Sequence, residues 1–180
     1  MNLQSVITRL EKFEGCTPYM YICTGGEVTA GVGHAILNAD EAVALTWERD
    51  GRPAAPEEVR ADFASVSAKQ PGLLDVRYAD ATRCRLSTDE IMRIAEADVG
   101  RFEAQLAAIF PDWDSYPQPA QEALFDMAFN LGIGGLKKFV RLLRAVEKRD
   151  WTTAATECRR NGIAEERNHE TVALFRAATG

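Results

Sequence analysis

EGCTPYMYICTGGEVTAGVGH, residues 14–34, decides the reading of this chain. Upstream of it, Leu3, Val6, Ile7, Leu10 and Phe13 recur at helical spacing, which predicts a short amphipathic helix. Gly15 is its natural stop, because glycine takes the left-handed conformation beyond a last helical turn. Glu14 therefore closes that helix. Tyr19, Tyr21 and Cys23 then alternate with Met20 and Ile22, the period of a strand. Gly25-Gly26 reads as a tight two-residue turn, and Val28 to Val32 as the returning strand. The segment is thus a helix end followed by a small hairpin.

Outward from the hairpin the texture becomes helical. Within Thr46 to Leu86, Gly51, Pro53 and Pro56 punctuate the chain. Pro56 starts a helix with Val59, Phe63 and Val66 on one face, and Pro71-Gly72 ends it. A short extended piece is expected through Val76 and Tyr78. Ser87 with Glu90 fits a capping box. Ile91, Ala95, Val99, Phe102, Leu106 and Ile109 then hold one face of a long helix. Later helices are marked by Ala120, Leu124, Met127 and Leu131, by Phe139, Leu143 and Val146, by Trp151, Ala155 and Cys158, and by Val172 and Phe175.

The expected fold is α+β and mostly helical: a mixed N-terminal lobe over residues 1–86, a connecting helix over 87–110, and a helical C-terminal lobe over 111–180, all one domain. Its 180 residues suffice to bury a real core. A hydrophobic share of 46% with 27% charged residues is that of a globular protein. The net charge of −6 argues against nonspecific nucleic-acid binding, which needs a basic face. No apolar run reaches membrane-span length, and the N-terminus lacks a signal-peptide layout. Cys16, Cys23, Cys84 and Cys158 are scattered, without histidines at ligand spacing, so no metal and no cofactor is expected. They read as free and mostly buried thiols, with Cys16 and Cys23 near enough in sequence to pair if geometry permits.

Glu14 faces the negative end of the helix dipole, which favours the protonated acid that a glycosidic oxygen needs. Position alone favours the plainer reading, a solvated glutamate that ends a helix. The glutamate-glycine step, the hairpin, and Thr29, Gly31, Gly33 and His34 in TxGxGH form together resemble the phage-type lysozymes, glycoside hydrolase family 24. ALFDMAFNLGIGGLKKF, residues 123–139, is similar to that family's helix and glycine turn. Trp151 with Ala154 and Ala155, Arg167-Asn168 and Leu174-Phe175 are similar to its C-terminal pattern.

The resemblance implies a lysozyme-like two-lobed fold and a muramidase that hydrolyses the β-1,4 bond between N-acetylmuramic acid and N-acetylglucosamine of bacterial peptidoglycan in a cleft. Glu14 falls on the catalytic acid and Thr29 on the threonine near the attacking water, although Thr29 also suits a strand as a β-branched residue. Phe129 and Asn130 fall on substrate-facing positions, with core packing an even alternative for Phe129. Arg167 matches an arginine that approaches the acid. Gly31 and Gly33 read as close-approach or turn residues, and His34 as a structural hydrogen-bonding residue.

Two departures stand out. The family places an aspartate where this chain has Cys23, and a thiol of pKa about 8.5 is mostly neutral at pH 7. Cys23 then positions water, acts as a covalent nucleophile, or marks a lost activity. Glu27 offers a replacement charge or is an exposed turn-flanking residue. The second departure is the 46–86 stretch, longer than in compact relatives. The expected protein is a monomeric endolysin or secreted antibacterial effector, made in the cytoplasm and exported to the periplasmic wall by a holin or a secretion system. An immunity or inhibitor protein would be the effector's partner. The alternative is a catalytically silent peptidoglycan-binding module.

Overall fold

The computed structural model describes residues 1–71 and 73–179. The expected α+β, mostly helical class holds: helices carry most of the chain, and two small antiparallel sheets accompany them. The chain divides into two compact units, Leu10–Asp98 in one and Met1–Arg9 with the chain from Val99 onward in the other. The division falls within the first and the longest helices.

In the Leu10–Asp98 unit, α1 (Leu3–Glu14) ends where expected. The Gly15 amide closes it on the Glu11 carbonyl at 3.0 Å, with Gly15 at φ 76°, a conformation a Cβ would strain. The next strands form an antiparallel sheet in the order β1 (Thr17–Ile22), β2 (Val28–Gly31), β3 (His34–Ile36). The expected hairpin is therefore joined by a third strand. Its turn is longer than the two glycines implied. Gly26 N–H donates to the Cys23 carbonyl and Cys23 N–H to the Glu27 carbonyl, each at 3.0 Å. Thr24, Gly25 and Gly26 thus form a three-residue loop, with Gly26 at φ 93° supplying the left-handed position such a loop requires.

The 46–86 stretch is more ordered than its punctuation suggests. After α2 (Ala39–Val43), capped by the Asn38 side chain, a second sheet runs in the order β5 (Arg52–Pro53), β4 (Trp47–Arg49), β6 (Arg85–Leu86). Strands of two and three residues are too short to show an alternating pattern. Pro56 opens α3 as expected, but α3 (Pro56–Ser67) stops before Pro71, and Gly72 lies outside the described residues. The expected extended piece at Val76 and Tyr78 is a 3₁₀ helix, Asp75–Ala81. Their two-residue spacing imitates a strand, yet Val76 is exposed while Tyr78 is buried and donates its hydroxyl to the Gln70 carbonyl at 2.7 Å.

The helix α4 (Thr88–Ile109) begins with half of the expected capping box. Ser87 Oγ accepts from Glu90 N–H at 3.2 Å. The Glu90 carboxylate does not reach back; it accepts from Thr46 N–H at 2.9 Å and pairs with Arg93 at 2.7 Å, because a buried charge favours a cationic partner.

In the other unit, α5 (Gln118–Leu136) is buried almost all round over Ala120–Ala128, the mark of a central helix, and bends at Gly132. Of the helices that follow, α6 (Val140–Glu147) packs on α7 (Trp151–Glu157), and α8 (Glu165–Ala177) packs on both α5 and α7. Asp126 is sunk in this core between two cations: Arg160 Nη2 at 2.7 Å and Arg167 Nε at 2.9 Å. Thr171 Oγ1 accepts from Arg160 at 2.6 Å, so the buried guanidinium has a neutral acceptor beside its counter-ion.

All four cysteines are free, as expected. The expectation that most are buried holds only for Cys84 and Cys158, because Cys16 is exposed and Cys23 half-buried. A Cys16–Cys23 disulfide is excluded by geometry. The strand β1 runs between them, and its rise of about 3.3 Å per residue separates them far beyond the roughly 7 Å that a disulfide spans.

Candidate active site

One face of the β1–β2 hairpin gathers the candidate residues. Tyr21 is the direct antiparallel partner of Thr29, so their side chains project from the same side of the sheet. Cys23 lies two residues beyond Tyr21, and Glu27 two residues before Thr29, and period-two alternation returns both to that side. The two side chains also meet. Cys23 Sγ lies 3.4 Å from Glu27 Oε2, with the thiol as donor to the acceptor-only carboxylate.

Thr29 is 3% exposed, and its hydroxyl donates to the Glu27 carbonyl at 3.1 Å. With its single proton committed there, the outward chemistry of Oγ1 is that of an acceptor.

Glu14, the last residue of α1, belongs to the same neighbourhood. Burial first, then the charges of Glu14, Cys23 and Asp75, push the Tyr21 phenol well above its ordinary range, so it stays a neutral hydroxyl. A helix-end carboxylate and the hairpin face thus act on one phenol. Tyr21 escaped sequence reasoning, which used it only as a strand-period residue. Its placement two residues from Cys23 was the available signal.

Beside this face, His34 Nδ1 lies 2.7 Å from Asp98 Oδ2, which gives His34 the structural hydrogen-bonding place expected of it. Asp75 accepts from the Thr17 hydroxyl at 2.9 Å and helps seat the 3₁₀ helix on β1.

Phe129 and Asn130 sit on α5 of the helical unit, both half-buried. Phe129 packs into an aromatic cluster, its ring centroid 5.2 Å from Phe102 and 5.9 Å from Phe125. Asn130 Oδ1 accepts from Arg160 Nη1 at 3.3 Å, which fixes the amide's orientation. Arg167 Nε donates to Asp126 Oδ1 at 2.9 Å in this unit. Among the described residues, no group of three or more His, Cys, Asp and Glu side chains converges as a metal site would require.

Comparison with known proteins bears on most of the chain. A family model described as phage lysozyme matches residues 11–176. The pre-baseplate central spike protein Gp5 of Enterobacteria phage T4 is 26% identical over 153 residues, covering 83% of this chain. The matched region is 23% of that relative, so the chain spans about a quarter of its length.

Proposed function

The chain belongs to the phage lysozyme family, and on that premise we propose that it is a muramidase, hydrolysing the β-1,4 bond between N-acetylmuramic acid and N-acetylglucosamine in bacterial peptidoglycan. Glu14 is the general acid, giving its proton to the glycosidic oxygen as that bond breaks. Thr29 and Cys23 position the attacking water. On the helical unit, the Phe129 ring edge and the Asn130 amide serve as contacts for a sugar's apolar face and N-acetyl group. No cofactor enters the scheme.

The observation that carries this reading is the Thr29 hydroxyl. Its proton is spent on the Glu27 carbonyl, so its lone pairs are what a water proton meets. It lies on the face whose phenol feels the Glu14 carboxylate. An acid at a helix end and a water acceptor on an adjacent strand are the elements of glycoside hydrolysis.

We read residues 1–180 as one lysozyme-like domain, acting as a monomer on the periplasmic wall, with 46–86 as an insertion on its N-terminal part. Endolysin and antibacterial effector both fit, delivered by a holin or a secretion system; in the second case an immunity protein is the expected partner. No helix among the described residues is long and apolar enough to cross a membrane. A second reading, a silent peptidoglycan-binding module, is favoured by one feature: Cys23 brings a thiol, not a carboxylate, to the hairpin face.

Release of new reducing ends from purified peptidoglycan separates the two. The muramidase reading expects release by the wild type and its loss in Glu14→Gln. A wild type that binds the sacculus without releasing reducing ends supports the silent module.

A further inference from the structure

We propose that Arg160 is a positioning residue for Asn130, and that the pair makes the chain selective for N-acetylated glycan strands. Arg160 takes the oxygen of the Asn130 amide and leaves its NH2 as a fixed donor for the acetamido carbonyl of a sugar. The inference deepens the reading of Asn130 as a sugar contact given above, and rests on it.

Asp126 and Asn130 stand four residues apart on α5, so their side chains share one face of that helix. Arg160 meets both. Its Nη2 donates to Asp126 Oδ2 at 2.7 Å. Its Nη1 donates to Asn130 Oδ1 at 3.3 Å and to the Asp126 carbonyl at 3.4 Å. Burial falls along this row, from Asp126 at 1% exposed to the half-buried Asn130. One guanidinium therefore ties an accessible amide to an anchor in the core.

The anchor holds from several sides. Arg160 is buried, and Thr171 Oγ1 accepts from its Nη2 at 2.6 Å. Asn168 clamps the Arg160 backbone, with Oδ1 accepting from its N–H at 3.0 Å and Nδ2 donating to its carbonyl at 2.9 Å. Ion pair, hydroxyl and backbone clamp together leave the guanidinium one orientation.

That orientation decides the polarity of Asn130. A guanidinium has five N–H donors and no acceptor, so the amide atom facing it must be the oxygen. A flipped amide sets donor against donor. The NH2 of Asn130 then points away from Arg160, and no described residue accepts from it. A half-buried donor gains from a ligand that brings an acceptor and loses where the ligand brings none. The carbonyl of an acetamido group is such an acceptor. The ammonium left by de-N-acetylation carries donors only.

The test compares wild type, Asn130→Asp, Asn130→Ala and Arg160→Lys on purified peptidoglycan before and after chemical de-N-acetylation, with folding checked by circular dichroism. Release of reducing ends gives kcat/KM on each substrate. Wild type is expected to favour the N-acetylated strands about tenfold or more, the worth of one hydrogen bond of about 1.4 kcal/mol. Re-acetylation of the strands should restore the rate. Asn130→Asp keeps the shape and the Arg160 partner but has no donor, and its preference should fall below about twofold. Arg160→Lys lets the amide turn and should lose the preference too, with no further loss when Asn130→Asp is added. Asn168→Ala loosens the backbone clamp without touching the ion pair, and as the milder variant it should shift the preference in the same direction. Equal rates of wild type on both substrates, or full preference kept by Asn130→Asp, overturn the donor. Arg160 and Asn168 variants that slow both substrates alike and keep the preference overturn the positioning role. Binding of Glu14→Gln to the two kinds of sacculi reads the same preference without turnover. A wild type that releases no reducing ends overturns the muramidase reading, and this binding arm still decides the donor: tighter binding to N-acetylated sacculi upholds it and equal binding overturns it.

Discussion

The Thr29 hydroxyl donates to the Glu27 carbonyl at 3.1 Å, and the same carbonyl accepts Cys23 N–H at 3.0 Å. Donors from both sides of the hairpin therefore converge on one oxygen. Because that oxygen keeps a second donor, removal of the threonine hydroxyl does not orphan it, and the fold tolerates the change.

Thr29→Val then tests the hydroxyl's chemistry with little effect on folding. The expected result is a fall in kcat of about tenfold, the worth of one hydrogen bond of about 1.4 kcal/mol at the transition state. KM and thermal stability should change little, and Thr29→Ser should restore most of the rate. Reducing-end kinetics and a thermal melt measure both. Unchanged kcat in Thr29→Val would remove Thr29 from the mechanism.

Cys23 is tested by two substitutions. Alanine deletes the donor to Glu27 and should lower activity; aspartate brings a carboxylate to the hairpin face and should preserve or raise it. Equal rates for wild type, Cys23→Ala and Cys23→Asp on purified peptidoglycan would show that the thiol has no part in turnover.

Asp126 governs stability. Its carboxylate is 2% exposed and faces Arg160 and Arg167, whose side chains are 1% and 6% exposed. Asp126→Ala leaves cationic groups in the core without their anion, a change that typically costs about 3–5 kcal/mol. Urea unfolding at pH 7 should show a lower midpoint with a similar slope. A loss under about 1 kcal/mol would mean that the core relaxes and admits water to the guanidinium groups.

Glu58 sets a pH dependence. Side-chain hydrogen bonds from Arg52, then the Ala55 N–H, with Arg49 adding its charge, hold its carboxyl at about 2 against an ordinary 4.5. Because the folded value is the lower one, the stabilisation is present above about 4.5. It is lost as the pH falls toward 2, where the folded protein is protonated too. Wild type should melt above Glu58→Gln at pH 7, and the gap should close between those two pH values. A gap that persists at pH 2 would assign the difference to packing.

The amino-acid sequence by itself determined α1, its stop at Gly15 and the hairpin that follows, because helical period, glycine and strand alternation are local signals. It also placed Glu14 at the helix end and carried enough of the motif to identify the family. The second sheet was not legible, since Trp47–Arg49, Arg52–Pro53 and Arg85–Leu86 are too short for a pattern and pair with distant segments. Neither was the buried Asp126 with its two arginines, 34 and 41 residues away along the chain. Which groups share the candidate site was decided only by tertiary structure. A hairpin loop one residue shorter or longer turns every later side chain to the opposite face. The three-residue loop closed by Gly26 is what sets Glu27 against Cys23 and Thr29 beside Tyr21, on the side that feels Glu14. Composition names these residues; the register of one turn brings them together.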